Sequence, residues 1–449
     1  MMKRNIIIDM IRDFEEKELP KLVERELVIK FPLSKKALTF IGPRRAGKTF
    51  FCFNIIKGLL KQGIARDRIF YINLEDDRLY PIIMEDLDTL LRTYFEIHPE
   101  NKGKTVHLFL DEIQNVGGWE KYVRRVMDSE NIQVYITGSS SKLLSREIAT
   151  SMRGRALSYL ILPFSFREFL KARGVEVEKH PSTSKKARIF FQLNNYLEMG
   201  GFPEIVMEED RELGMRIIND YKEVMLFRDI VERFNVKNIL ALKSLFNAMV
   251  SSTSSTFSVN KFHNDLKSRG HHIGKNTVYA YSSHLEDTHA VILLRAFDYS
   301  LRKREQSLPK PYPIDPGFLR LQGPRLSGNM GTAMENVTAI ELVRQLSGKP
   351  NSDFHYWKDG QQREVDFVIT NGEEVIALIQ VCYDMKSKET TDRELRSLVK
   401  SGNSLSCDSL FVITWDEEGT QEFEEKVIEM IPLWKWLLDP SIILDRSKQ

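Results

Sequence analysis

One eight-residue stretch constrains this chain more than any other. Gly42-Pro43-Arg44-Arg45-Ala46-Gly47-Lys48-Thr49 fits the pattern GxxxxGK[ST] in full. An apolar run at 37–41 precedes it and a helical pattern at 50–60 follows, the strand–loop–helix setting that a phosphate-cradling loop needs. Glycines let successive backbone N–H groups turn inward around an anion, and the helix N-terminus adds partial positive charge. Lys48 is placed to reach β- and γ-phosphates and the Thr49 hydroxyl to ligate Mg²⁺. All eight residues are therefore candidate binders of ATP with Mg²⁺.

The surroundings read as a parallel α/β sheet, because short apolar runs at 37–41, 69–74, 106–110, 133–137 and 157–162 alternate with helical patterns. The third run ends in Asp111-Glu112. Ligands of open α/β sheets sit at the carboxyl ends of strands. Asp111 is thus a candidate for the metal shell, and Glu112 for the base that orients and deprotonates the attacking water. An acidic pair after a strand is common as a simple turn; the loop at 42–49 gives it weight. Ser139, just past the fourth run, is either a γ-phosphate sensor or the N-cap of a following helix.

At 449 residues the chain has room for about three domains of roughly 150 residues each. A polar stretch at 176–186 and a Pro-rich stretch at 308–317 place them at 1–175, 187–316 and 330–449. Lys and Arg total 65 against 63 Asp and Glu, a formal charge of +2, which excludes a uniformly basic binder and leaves room for a local basic face. No apolar run approaches the roughly 20 residues of a membrane helix, and three scattered cysteines, Cys52, Cys382 and Cys407, argue against a disulfide framework or zinc cluster. A cytoplasmic protein with no membrane partner is expected.

The middle carries a helix-turn-helix pattern: a capped helix from Ser258, a turn at 270–274 and a second helix from Lys275. Residues 258–310 hold nine Lys/Arg and five Asp/Glu, a local +4. Lys275, Asn276 and Thr277 are candidates to contact DNA from the second helix, with Arg302, Lys303 and Arg304 in a following strand and wing. The alternative is a solvated face on a segment that only packs against other subunits. Five of the nine histidines fall here, without metal-ligand spacing.

Near the C-terminus, a helical run with Glu335 is followed by two strand-like runs around Asn371-Gly372. This resembles the PD-(D/E)XK nuclease core, in which a hairpin presents an Asp and then Glu-x-Lys. Asp366 matches the first acid and Glu335 the helix acid, but Gln380-Val381-Cys382 stands where Glu-x-Lys belongs. A degenerate second metal site of Glu335, Asp366 and Gln380 is implied, with cleavage in doubt. A strict two-residue turn at Asn371-Gly372 would put Asp366 and Gln380 on opposite faces, whereas a three-residue loop with a Gly bulge would put them on one. An inert domain used for DNA binding or assembly is the other reading.

GPRRAGKT, the strand ending LDE, ITGSSS, the RGR (Arg153 to Arg155) before PFSFREF, then GGFPE and FRDIVE recur in order along the chain. Together they resemble the prokaryotic, mainly archaeal, AAA-family P-loop ATPases with a C-terminal domain of unassigned function. The resemblance implies an AAA+-type core, a helical and winged-helix middle and a nuclease-like end. It implies a homo-oligomer with nucleotide at subunit interfaces, with Arg155 or Arg153 pointing at a neighbour's nucleotide and Arg228 serving from the helical lid. The expected function is an Mg²⁺-dependent ATPase that acts on DNA. An ATP-regulated nuclease and a nucleotide-switched protein-interaction module are the rivals.

Overall fold

A computed structural model describes residues 2–138, 152–322, 330–385 and 388–446. The chain divides into two compact units, Met1–Leu162 and Pro163–Gln449.

The first unit is a five-stranded parallel sheet in the order β2-β3-β4-β1-β5, with β1 Ala37–Ile41, β2 Ile69–Asn73, β3 Val106–Asp111, β4 Ile132–Gly138 and β5 Ala156–Leu160. The inner strands β1 and β3 are buried along their whole length and β4 at all but Gln133, so they read as near-continuous apolar runs, whereas β5 at the edge is only partly buried. Period-2 alternation divides β3: Leu108 and Leu110 pack with Leu90, Tyr94, Trp119 and Val126, while Phe109 packs with Phe51, Cys52 and Ile56 on the opposite face. Those partners come from helices α2 (Lys48–Lys61), α3 (Met84–Ile97) and α4 (Trp119–Ser129). The first helix, α1 (Met2–Glu16), buries Ile7, Met10 and Ile11 in the same core. Its apolar residues at 6–8 form the short run at the start of the sequence.

The first compact unit ends at Leu162. Pro163 onward belongs to the second unit because Phe166 and Phe169 pack around Tyr196, with ring centroids 5.5 and 5.3 Å apart. Ser165 and Glu168 start that helix, Phe166–Ala172, with a reciprocal capping box.

The second unit gathers the regions 187–316 and 330–449 into one body. Helices Thr183–Met199, Arg211–Val224 and Ile239–Ser251 lead to the pair Val259–Ser268 and Lys275–Asp287. Between the second and third of these, Met225–Glu232 is wound as π-helix, and FRDIVE lies on it. The pair is followed by a two-stranded antiparallel ribbon, β6 Val291–Leu294 with β7 Lys310–Pro313. Arg302, Lys303 and Arg304 lie in a short helix, Leu301–Gln306, within the connection between these two strands. The Pro-rich stretch forms β7 rather than an interdomain break; in a two-stranded ribbon every strand is an edge, which tolerates proline.

The glycines of GGFPE have a packing reason. Asp315, buried, accepts the N–H of Gly201 at 2.7 Å and of Gly317 at 2.9 Å. Gly200, at φ +82° and ψ −170°, lies against the same carboxylate in a region of backbone space essentially reserved for glycine.

The C-terminal sheet runs β12-β13-β11-β10-β9-β8, with β8 Ser352–Lys358, β9 Glu364–Asn371, β10 Glu374–Cys382, β11 Leu410–Thr414, β12 Gly419–Phe423 and β13 Lys426–Pro432. The helix Met330–Leu346 is buried almost all round from Thr332 to Leu342, as befits a core helix. The β9–β10 turn is Gly372-Glu373, because Asn371 pairs with Glu374, and a bulge between Val375 and Ala377 corrects the parity. Asp366 and Gln380 therefore share a face, as expected, though by a different device from the three-residue loop.

Candidate active site

The loop at 42–49 hangs from the carboxyl end of β1, between β4 and β5. Its backbone can take this path only with glycine at its first position. Gly42 has φ +146°, and a Cβ there would stand 2.0 Å from the Ile161 carbonyl oxygen. Arg45 at φ +64° and Gly47 at φ +93° complete the reversal. The Lys48 side chain is buried and its ammonium donates to the carbonyls of Gly42 at 3.1 Å and Pro43 at 3.0 Å. Phosphate oxygens entering the loop would take over these donors. Arg44 pairs with Glu75 at 3.4 Å. From behind, Arg25 braces the loop, donating to Ala46 O at 2.9 Å and Leu162 O at 2.6 Å.

Asp111, at the end of β3, is the hub of the polar site. Its carboxylate accepts the Thr49 hydroxyl at 2.8 Å, the Tyr71 phenol at 2.7 Å and the Thr137 hydroxyl. Burial raises its pKa, and the hydrogen bonds of Thr137, Tyr71 and Thr49 oppose that rise. Burial and the charge of Asp111 raise the Tyr71 phenol in turn, so Tyr71 stays a donor. Thr49 and Asp111 form an oxygen-only donor set of the kind that suits Mg²⁺.

Glu112 follows with left-handed backbone, φ +56°. Its N–H donates to the Thr137 hydroxyl at 2.9 Å, and its carboxylate accepts from the Gln114 amide. Thr137 thus ties the metal acid and the candidate base together. The sheet order makes this possible, since β4 lies between β1 and β3. Sequence reading missed Thr137, Tyr71, Gln114 and Arg25. Alternation along β2 and β4 was the available signal for Tyr71 and Thr137; Arg25 lies in a segment without a pattern. Ser139 lies outside the described residues.

Replacing Thr137 with valine keeps the shape and removes both tethers. Hydrogen bonds to charged groups are worth about 1.5–3 kcal/mol, so phosphate release from ATP should slow roughly 10- to 100-fold. Unchanged turnover in Thr137→Val would show that Thr137 does not hold the acids in place.

Residues 34–170 match the family described as AAA domain, and residues 191–324 and 330–436 match two families described as Domain of unknown function, DUF8612 and DUF4143. The uncharacterized protein MJ1544 of Methanocaldococcus jannaschii is 36% identical over 446 residues, covering 98% of this chain and 96% of its own length. The chain belongs to that family of AAA-domain P-loop ATPases. An uncharacterized protein of Haemophilus influenzae is 28% identical over 375 residues, 81% of this chain and 88% of that one. Among solved structures, the Walker-type ATPase of Pyrococcus abyssi is similar at a TM-score of 0.41 and 16% identity, over 63% of this chain and 89% of that one.

In this AAA-domain ATPase Arg155 lies apart from the loop. Arg155 precedes β5, paired with Asp128, at the amino end of a strand parallel to β1. A five-residue strand spans about 16 Å, so Arg155 stands at the opposite edge of the sheet from Thr49 and Asp111. Arg153 is exposed with φ +48°. Arg228 forms a surface pair with Glu232 at 3.3 Å. No described helix is long and apolar enough to cross a membrane.

On helix Lys275–Asp287, Lys275, Asn276 and Thr277 are exposed while Val278, Tyr281 and Leu285 are buried. Tyr279 donates to Asn260 at 3.2 Å, tying the two helices of the motif. Arg302 is exposed; Lys303 pairs with Asp298 at 3.6 Å, and Arg304 lies over the Phe297 ring at 5.0 Å and donates to the Asp298 carbonyl. Arg304 is a packing residue. Lys310 is buried, so the surface excess of this region falls from +4 to +3.

Glu335, Asp366 and Gln380 do come together, all buried. Asp366 accepts Val381 N–H at 3.0 Å, and its own N–H donates to Gln380 Oε1 at 3.3 Å. The Gln380 amide donates to Glu394 at 2.9 Å. Three members of the cluster were not foreseen: Lys310, Glu364 and Glu394. A cavity of about 830 Å³ opens beside Asp366, Gln380 and Glu394, with Arg363, Arg393 and Arg396 on its wall.

Proposed function

We propose that the chain hydrolyses Mg²⁺·ATP at the site of Lys48, Thr49, Asp111 and Glu112, and couples turnover to conformational work on DNA held by helix Lys275–Asp287. The observation that carries the catalytic half is the Thr137 hydroxyl shared between Asp111 and the Glu112 backbone. This shared hydroxyl supports reading Glu112 as a base beside the Mg²⁺ acid. Bound Mg²⁺ supplies charge neutralisation on the phosphates. Loop N–H groups and Lys48 orient the triphosphate, Thr49 and Asp111 hold the metal shell, and Glu112 accepts the proton of the attacking water. Its carboxylate is steadied by Gln114.

Arg155 is too far from its own loop to act there. A homo-oligomer in which Arg155 leaves Asp128 and reaches a neighbour's nucleotide is the assembly this position favours. The nuclease rival is disfavoured by Gln380 and Cys382, which remove one carboxylate and the amine.

For DNA, the supporting observation is the exposed row Lys275, Asn276 and Thr277 on a helix whose other face is buried. Lys275→Glu should weaken binding of a fluorescent duplex roughly tenfold near physiological salt and lower the salt slope by about one. Equal affinity and slope in wild type and variant would remove this helix as the contact.

A further inference from the structure

The nuclease-like cluster has a cation of its own. Lys310, 1% exposed, reaches it from β7, outside the C-terminal sheet. Its Nζ lies 2.6 Å from Glu364 Oε1, 3.3 Å from Glu335 Oε1 and 3.5 Å from Asp366 Oδ1. An ammonium has three N–H donors, and here three carboxylates from a helix and a strand receive them. Tyr312, two residues on and so on the same face of β7, donates to Glu335 Oε1 at 2.5 Å. The second oxygens are engaged as well: Asp366 Oδ2 by Val381 N–H at 3.0 Å and Glu364 Oε2 by Lys358 at 3.4 Å.

A PD-(D/E)XK metal would need these inward oxygens. The donor set does not fit it, because the point where Glu335, Glu364 and Asp366 converge is taken by a positive charge, and the third expected acid is the neutral Gln380. We propose that Lys310 is the resident cation of this site. The acidic cluster then needs no divalent metal, and it acts as an ionic clamp fastening the ribbon β6–β7 to the C-terminal sheet. Burial opposes the charge on Lys310, and the charges of Glu335, Asp366 and Glu364 outweigh it, keeping its pKa above the ordinary lysine value.

The test is Mn²⁺ binding to the full chain, followed by electron paramagnetic resonance without nucleotide, in an Asp111→Asn background that weakens the P-loop metal site. Adding Asp366→Asn should leave the number of Mn²⁺ bound per chain unchanged. Adding Lys310→Ala instead should create one further Mn²⁺ per chain, and Asp366→Asn should abolish it. Loss of a bound Mn²⁺ when Asp366→Asn is added to the Asp111→Asn chain would overturn the proposal, and this arm stands even if Lys310→Ala fails to fold. A folded Lys310→Ala chain that gains no Mn²⁺ would overturn it as well.

Discussion

Glu112→Gln should lower ATP turnover by roughly 100- to 10,000-fold, the range over which a positioned general base acts, while leaving nucleotide affinity within about threefold. The two effects separate because the residues that bind are not the residue that is changed. Lys48, the loop N–H groups and the Thr49–Asp111 pair at 2.8 Å are untouched, and the Glu112 N–H remains on Thr137. Glutamine keeps the side chain's shape and loses the basic oxygen. Phosphate release measured beside titration of a fluorescent ATP analogue gives both quantities. Turnover within a few-fold of wild type would assign the base elsewhere. A joint loss of turnover and binding would mean that Glu112 holds the loop rather than the water.

Gly200→Ala should destabilise the second unit by roughly 3–5 kcal/mol, combining backbone strain with overpacking. The new Cβ would stand 1.7 Å from Asp315 Oδ1 and 2.5 Å from its Cγ, so the buried carboxylate must move. Moving it strains the hydrogen bonds from Gly201 and Gly317, which leaves buried polar groups short of partners. For a unit of this size the calorimetric midpoint should fall by roughly 5–10 °C. Gly270→Ala is the control: φ is +84° there as well, but a Cβ meets nothing within 4 Å, so only the left-handed cost of about 1–2 kcal/mol applies. Equal midpoints for the two variants would show that the Asp315 contact is not what requires Gly200.

What could be read from the sequence follows from how local each signal is. The β1 strand and its loop were legible because a parallel strand buried on both faces is an unbroken apolar run and the phosphate loop is contiguous. Asp111 and Glu112 were legible because they close such a run. Thr137 was not, since its role depends on β4 lying between β1 and β3, which is a property of strand order. Lys310 was counted in the local basic charge and placed in a Pro-rich break between domains. Pro309, Pro311 and Pro313 alternate with Lys310 and Tyr312, and only the pairing of β7 with β6 shows that the alternation is a strand with one buried face. Met2–Glu16 was hidden for a related reason: its apolar residues make a short cluster, and their helical face appears only against the sheet. At the β9–β10 hairpin the shared face of Asp366 and Gln380 followed from chemistry, but the bulge that creates it carries no residue signature.

Coupling of hydrolysis at this site to DNA would show in steady-state phosphate release by the full chain. Wild type and Lys275→Glu would be assayed with Mg²⁺·ATP, with and without duplex DNA, at low and at near-physiological salt. DNA should raise wild-type turnover, the rise should shrink as salt increases, and Lys275→Glu should keep the DNA-free rate while losing the rise. A wild-type rate indifferent to DNA at low salt would contradict the coupling.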